Sequence, residues 1–213
     1  MSAPVYFISG IDTGIGKTYT TGYLAKLWNE QGQKTITQKL IQTGNTDISE
    51  DIEQHREIMG MGWFAEDHSK LTMPEIFSYP ASPHLATQID GREIDFQKIA
   101  DATQQLAEKY DLVLLEGAGG LMVPLTTDLL TIDYIAEKKF PVILVSSGRL
   151  GSINHTLLSL EALKIRGLAL YALAYNLNDE SQDALISQDT AAYLKAYLAQ
   201  HFPKALWIDI PVL

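Results

Sequence analysis

The stretch Val5–Thr18, with the sequence VYFISGIDTGIGKT, decides the fold of this chain. It begins with a short apolar run of β-branched and aromatic residues, continues through a loop with several glycines, and ends in Gly-Lys-Thr. A strand, such a loop and a helix together bind nucleotide phosphates, because backbone N–H groups and the helix N-terminus face the anion. The usual spacing places glycine where Ile11 stands, and Gly10 precedes that position by one. The location between a strand and a helix still favours a phosphate-binding loop over an ordinary turn.

Two residues of this loop are candidates for phosphate chemistry. Lys17 would bring positive charge to the outer phosphates of a nucleotide, and the hydroxyl of Thr18 would be a ligand for Mg²⁺. The tripeptide alone is weak evidence, since Gly-Lys-Thr also occurs by chance. Its position after the first strand carries the prediction.

Composition excludes several classes of function. The 213 residues carry a net charge of −10, which argues against a nucleic-acid partner because phosphate backbones bind basic surfaces. The sequence contains no cysteine, which excludes disulfides, thiolate metal ligands and cysteine nucleophiles. Neither a signal-peptide pattern nor an apolar run of about 20 residues is present, so we expect a cytoplasmic protein without a membrane partner. Length and uniform composition predict one domain over residues 1–213.

Strand and helix patterns alternate along the chain. The predicted strands are 5–9, 34–40, 111–116, 141–145, 168–175 and 206–208. The predicted helices are 18–30, 51–60, 95–110, 130–138, 152–164 and 184–200, and 62–84 is expected to be an irregular loop. Strongly apolar strands that alternate with helices are typical of a parallel sheet covered on both faces. We therefore predict an α/β fold of three layers, with a mostly parallel central sheet and helices on both faces, of the P-loop NTPase type.

Ligands of such a sheet bind beyond the carboxyl ends of its strands. Two charged residues lie at the ends of predicted strands and a third begins a helix nearby, and each of the three has two interpretations. Glu116 is either a metal-binding carboxylate or an exposed side chain at a strand end, and its place beside the phosphate loop favours the first. Lys39 is either a solvated lysine or a charge that neutralises a transferring phosphoryl group. Asp51 is either the N-cap of its helix or a further carboxylate for the metal.

Five segments, in this order, resemble the dethiobiotin synthetase family: GIDTGIGKT at 10–18, KLIQTG at 39–44, ASPH at 81–84, EGAGG at 116–120 and GSINH at 151–155. The resemblance extends from the first strand to about Asn176. The displaced first glycine of the loop is itself the variant found in that family. EGAGG alone is shared with related amidase-type synthetases, whereas the five segments together are specific.

The resemblance implies an ATP- and Mg²⁺-dependent ligase of biotin biosynthesis. Such an enzyme joins CO₂ to 7,8-diaminononanoate, activates the carbamate with ATP as a carbamic–phosphoric anhydride, and closes the ring to dethiobiotin. The resemblance also implies a homodimer with a shared active site, in which the substrate carboxylate lies at a helix N-terminus of the second subunit. In this sequence that helix begins at about Gly151.

The resemblance assigns roles residue by residue. Lys17 and Lys39 would be catalytic, acting on the transferring phosphoryl group. The implied Mg²⁺ ligands are Thr18, Asp51 and Glu116. The residues implied to bind ATP are Thr13, Gly14, Ile15, Gly16, Lys17, Thr18, Glu116, Gly119, Asn176 and Pro211, with Asn176 reading the adenine edge. The residues implied to bind the diamine or its carbamate are Thr43, Gly117, Ala118, Gly119, Gly120, Gly151, Ser152 and Asn154.

Other functions remain open at this point. A partition-type P-loop ATPase switch usually carries an extra lysine early in its loop, and the segment 11–14 has none. A cobyrinate synthetase linked to an amidotransferase would need a glutaminase domain and its cysteine. A nucleotide-binding module without turnover is the third alternative. Ser82 and His84 receive no chemical step, and the remaining histidines are interpreted as structural or surface residues: His55, His68, His155 and His201.

Overall fold

A parallel β-sheet forms the centre of the structure, a computed structural model that describes residues 3–178 and 183–212. Within those residues the strands are β1 (Val5–Gly10), β2 (Thr35–Lys39), β3 (Gln42–Thr43), β4 (Ile76–Phe77), β5 (Leu112–Gly120), β6 (Val142–Ser147), β7 (Leu170–Asn176) and β8 (Leu206–Ile210). Six of them form one sheet in the order β2-β5-β1-β6-β7-β8, and each pairing in it is parallel. The strands β3 and β4 form a separate parallel pair. The mostly parallel sheet predicted from the sequence is therefore confirmed.

Helices cover both faces of this sheet. They are α1 (Lys17–Glu30), α2 (Glu50–Met59), α3 (Ala65–His68), α4 (Pro83–Asp90), α5 (Phe96–Lys109), α6 (Thr131–Lys138), α7 (Ser152–Ile165) and α8 (Ala184–His201). None of the helices in the described part of the chain combines the length and the apolar character that a membrane span requires.

Successive strand residues face opposite sides of the sheet, so the strands supply two cores. Phe7 and Leu115 face one core, which α6, α7 and α8 cover with residues such as Leu160. Ile8 and Leu114 face the other core, which lies under α1 and α2. Because both faces are buried, β1, β5, β6 and β7 are nearly continuous apolar runs, and the three-layer prediction is confirmed.

The structure differs from the sequence prediction in three places, one of which is β3, a two-residue strand that the sequence did not predict. The segment 62–84, expected to be an irregular loop, contains α3 and β4, and Pro83 begins α4. These elements are too short to give a recognisable apolar periodicity in the sequence. The strand β5 continues to Gly120, whereas the sequence predicted its end at Glu116. Its glycines permit this close pairing, since a Cβ at Gly117 would lie 2.8 Å from the ring of Phe7.

The order of the strands positions the site. The strand β5 lies between β2 and β1, and its register places Glu116 beside both Lys39 and Ile8. The carboxyl ends of these three strands therefore meet where β1 enters the glycine loop. Residues that are far apart in sequence become neighbours at this edge.

Candidate active site

The loop between β1 and α1 is folded for close approach of an anion. Gly14 and Gly16 have φ values of 69° and 93°, a left-handed conformation that favours glycine. Lys17 begins α1, and its Nζ donates a hydrogen bond to the backbone oxygen of Asp12 at 3.2 Å. Burial is the main cause that lowers the pKa of Lys17, and the positive charge of Lys39 acts in the same direction. A phosphate group would compensate this buried ammonium.

Three oxygen-bearing side chains converge next to the loop. The hydroxyl of Thr18 lies 2.9 Å from Asp51 Oδ1 and 3.0 Å from Glu116 Oε1. They come from α1, α2 and β5, so only the folded chain assembles them. The N-cap interpretation of Asp51 is wrong, because Ser49 is the N-cap of α2 and its Oγ accepts from Ile52 N at 3.2 Å.

The donor set suits Mg²⁺. Across residues 3–178 and 183–212, no cluster of three or more His, Cys, Asp or Glu side chains forms a complete metal cage. The site instead offers two carboxylates and one hydroxyl. Mg²⁺ typically takes one or two carboxylates from the protein and completes its coordination with water and substrate phosphates. The chemistry of these oxygens therefore fits that ion beside a nucleotide.

Lys39 supplies the positive charge that balances the two carboxylates. Its Nζ contacts Asp51 and lies 2.9 Å from Glu116 Oε1 and 3.2 Å from the backbone oxygen of Gly117. Burial alone would lower the pKa of Lys39, but the two carboxylates outweigh burial and raise it. Lys39 is 5% exposed and Glu116 is 0% exposed. The interpretations of both residues as ordinary exposed side chains at strand ends are therefore wrong.

Glu116 stays ionised although it is completely buried. Burial would raise its pKa, but the charge of Lys39 and a hydrogen bond from His55 together lower it well below the ordinary range. His55 Nε2 lies 2.8 Å from Glu116 Oε2. Sequence reasoning missed this histidine and left it among structural or surface residues. The signal was its spacing, since His55 follows Asp51 by one helical turn and both therefore point to the same side of α2.

The glycine run after Glu116 lies against the phosphate loop. A Cβ on Gly120 would lie 3.2 Å from the backbone oxygen of Gly10, and one on Gly119 would lie 3.6 Å from Thr13 Oγ1. Gly117 contacts Lys39 through its oxygen. The run therefore borders the same space as the loop and the carboxylates. Thr43 lies apart from the six-stranded sheet, on β3, where it pairs with Phe77.

Asn176 and Pro211 lie at the far end of the loop. Asn176 Nδ2 donates to the backbone oxygen of Ile15 at 3.1 Å. The backbone oxygen of Pro211 accepts from the hydroxyl of Tyr19, on α1, at 2.9 Å. Asn176 thus contacts the segment that would surround the phosphates, and Pro211 contacts the first turn of the helix that follows it.

The N-terminus of α7 is joined to the loop indirectly. Arg149, just before α7, forms an ion pair with Asp12 of the loop. Gly151 and Asn154 line a separate cavity between α7 and α8. Ser152 is buried, and its hydroxyl has no hydrogen-bond partner among the described residues. The structure therefore groups these three residues together but does not bring them to Glu116 of the same chain.

Comparisons with known proteins show which family the sequence resembles. The sequence family described as an AAA domain matches residues 5–202. The ATP-dependent dethiobiotin synthetase BioD 2 of Pasteurella multocida is 50% identical over 205 residues, which are 96% of this chain and 96% of that relative. The ATP-dependent dethiobiotin synthetase BioD of Chlorobaculum tepidum is 50% identical over 99% of this chain and 88% of its own.

Solved structures resemble the fold alone. The chloroplast FtsY of Physcomitrella patens superimposes with a TM-score of 0.54 at 16% identity, over 97% of this chain. The cell division protein FtsY of Thermotoga maritima gives 0.53 at 16% identity, over 96% of this chain. The chain spans 57% and 60% of the lengths of these two proteins. Because sequence identity of about 50% extends over nearly the whole chain, whereas the FtsY likeness concerns only the fold, the chain belongs to the ATP-dependent dethiobiotin synthetase family.

Proposed function

We propose that the chain is a dethiobiotin synthetase that closes the cyclic urea of dethiobiotin from 7,8-diaminononanoate, CO₂ and ATP. The relatives from Pasteurella multocida and Chlorobaculum tepidum are ATP-dependent dethiobiotin synthetases, which supports this activity. The single observation that carries the assignment to these residues is the cluster of Lys39, Asp51 and Glu116 beside Lys17 and Thr18. Phosphoryl transfer requires positive side chains and metal-binding carboxylates close together beside the phosphate-binding loop.

Lys17 and Lys39 would perform the charge neutralisation of the reaction. A carbamate oxygen of the substrate attacks the γ-phosphorus of ATP, and the bond to the β-phosphate oxygen breaks to release ADP. Two buried ammonium groups lower the barrier to this step by stabilising the negative charge on the transferring group. The second amine then attacks the carbonyl carbon of the mixed anhydride, and phosphate leaves with the bonding electrons and takes up the proton that the amine loses.

Thr18, Asp51 and Glu116 would hold Mg²⁺, which supplies further neutralisation of the phosphates when bound. The hydroxyl and the carboxylates come from three separate elements, so the ion would also fix α1, α2 and β5 relative to one another. The glycines 117–120 would hold the carbamate, because a backbone without Cβ atoms allows a ligand to approach its N–H groups. Thr43 would contact the diamine as well.

Asn176 would hydrogen-bond the adenine edge, with Pro211 on the other side of the ring. The contact of Asn176 with Ile15 supports this role, because it holds the amide at the end of the phosphate loop. The phosphates themselves would be surrounded by the segment 13–18.

A cavity of about 400 Å³ beside the loop supports the choice of substrate. Its lining combines the polar residues Asp12 and Thr13 with apolar residues such as Met122, Val123 and Leu158. A diamine on a hydrocarbon chain suits such a mixed lining, since its amines need polar contacts and its methylenes apolar ones.

The substrate carboxylate would lie at Gly151, Ser152 and Asn154 of a second subunit, so the protein would be a homodimer of single-domain chains over residues 1–213. A helix N-terminus favours an anion, and the buried hydroxyl of Ser152 without a described partner supports a ligand there. The high exposure of Leu158 on α7 supports contact between two copies at this helix.

The test is an assay of phosphate release by the purified protein with ATP and Mg²⁺. We expect release only when bicarbonate and the diamine are both present. Basal hydrolysis that ignores both substrates would contradict the synthetase and favour the partition-type switch. Dethiobiotin in the products, measured by mass spectrometry, would identify the ring closure directly.

A further inference from the structure

His55 is a buried polar residue next to the reacting centre that the proposed reaction does not yet use. It lies on α2 with no exposed surface. Its Nε2 lies 2.8 Å from Glu116 Oε2, and its Nδ1 lies 3.0 Å from Thr37 Oγ1. Both ring nitrogens therefore have partners, one of which is the carboxylate of the proposed metal site.

The donors along this chain of contacts can be assigned from Arg56. Its Nη1 donates to Thr37 Oγ1 at 2.8 Å, because a guanidinium has no acceptor. The hydroxyl of Thr37 is then free to donate its own proton to Nδ1 of His55. His55 consequently carries a proton on Nε2 and donates it to Glu116 Oε2. In the opposite tautomer a ring lone pair would face the carboxylate, which is repulsive.

The far end of the chain is fixed by a buried ion pair. Arg56 Nε and Nη2 donate to the two oxygens of Asp67, at 2.9 and 2.8 Å. Asp67 also accepts from Thr72 Oγ1 at 2.7 Å. A continuous chain of buried hydrogen bonds thus connects five side chains, in the order Asp67, Arg56, Thr37, His55 and Glu116.

The two oxygens of Glu116 are used differently. Oε2 faces His55, whereas Oε1 faces Thr18 and Lys39. A carboxylate with one oxygen held in this way cannot rotate without breaking a buried charge-assisted hydrogen bond.

We propose that His55 is a positioning residue that holds Oε2 of Glu116, so that Oε1 is presented to Thr18, Lys39 and the divalent cation. The inference rests on the proposed metal-binding role of Glu116. Groups that orient a metal ligand from behind typically change metal affinity about 10- to 100-fold when they are removed. We expect the loss to affect the cation and not the nucleotide.

The experiment compares His55→Leu with His55→Gln. Leucine fills the space without donating a hydrogen bond, whereas the glutamine amide reaches the place of Nε2 and restores the donor to Glu116. Mn²⁺ binding in the presence of ADP is measured by electron paramagnetic resonance, and ADP binding is measured separately without metal. We expect His55→Leu to weaken Mn²⁺ binding about 10- to 100-fold, with ADP binding unchanged and with most of the loss recovered in His55→Gln. His68→Leu, on an exposed histidine of α3, is the matched control.

An Mn²⁺ affinity of His55→Leu equal to that of the unmodified protein would overturn the inference. A loss of ADP affinity without metal that is as large as the loss of Mn²⁺ affinity would also overturn it. If His55→Leu does not fold, as judged by circular dichroism, His55→Asn replaces it, because asparagine reaches Thr37 but not Glu116. Equal Mn²⁺ affinity of His55→Asn and His55→Gln would then overturn the inference. Failure of the unmodified protein to bind Mn²⁺ would instead overturn the proposed metal site itself.

Discussion

Gly16→Ala tests how closely the phosphate loop approaches Asn176. Gly16 has a φ of 93°, which costs an alanine about 1–2 kcal/mol. An added Cβ would also lie 2.2 Å from Nδ2 of Asn176, far inside contact distance, so that side chain must move. Its hydrogen bond to the backbone oxygen of Ile15, 3.1 Å long, would break. The loss of this hydrogen bond from a buried amide group costs about 1–3 kcal/mol more.

Gly14→Ala is the matched control. Gly14 has a φ of 69°, so alanine suffers a similar backbone strain, but nothing lies within 4 Å of the added Cβ. We expect Gly14→Ala to lower the free energy of unfolding by about 1–2 kcal/mol. We expect Gly16→Ala to lower it by about 1–3 kcal/mol beyond that, because Asn176 is displaced.

Two measurements test the difference between Gly16→Ala and Gly14→Ala. Urea unfolding gives the free energies, and competition binding gives the ratio of ATP to GTP affinity. We expect this affinity ratio to fall in Gly16→Ala, by about tenfold for each 1.4 kcal/mol lost from the binding free energy of ATP relative to GTP. We expect the ratio to be unchanged in Gly14→Ala. Equal destabilisation and equal base preference in the two variants would refute the argument, since Asn176 would then be independent of the loop.

Three further substitutions test the site and its support. Lys17→Ala should abolish turnover in the phosphate-release assay, whereas Lys26→Ala on the same helix should retain it; activity in the first would contradict the loop assignment. Glu116→Gln should raise the Mg²⁺ concentration needed for half-maximal turnover, and an unchanged titration would exclude Glu116 as a ligand. Arg56→Met leaves the buried carboxylate of Asp67 without its cation, and should lower the free energy of unfolding by about 3–5 kcal/mol in urea. Burial would raise the pKa of Asp67, but Arg56 outweighs burial and lowers it, so this stabilisation is present above the ordinary Asp pKa of about 4. It is lost as pH falls through the folded-state pKa, and Arg56→Met should reduce that acid dependence; an unaltered pH profile would contradict this.

The sequence predicted the six strands of the main sheet, and four of them, β1, β5, β6 and β7, are apolar runs that end in glycine or a polar residue. It also predicted that Lys39 and Glu116 belong to the site. It did not predict their direct contact, which depends on β2 pairing with β5 across 77 positions of sequence. Strand order is a property of the whole sheet and leaves no trace in either segment alone.

Shorter features escaped the sequence for physical reasons. The pair β3 and β4 has two residues in each strand, too few for an alternating pattern. Helix α4 begins at Pro83, a residue that was interpreted as a loop signal although proline is favoured in the first turn of a helix. The spacing of His55 from Asp51 indicates a role at the site only once the position of Glu116 in the structure is known.

The place of β5 in the sheet has a consequence for biosynthesis. A ribosome releases β1 and β2 first, yet these strands are not neighbours, and four helices follow β2 before β5 is made. Until β5 is made, β1 and β2 each have an edge whose backbone N–H and C=O groups are unpaired. Such edges promote aggregation and are bound by chaperones. Glu116 lies on the strand that fills the gap between β1 and β2, so the pairing that completes the sheet also brings its carboxylate to the candidate site.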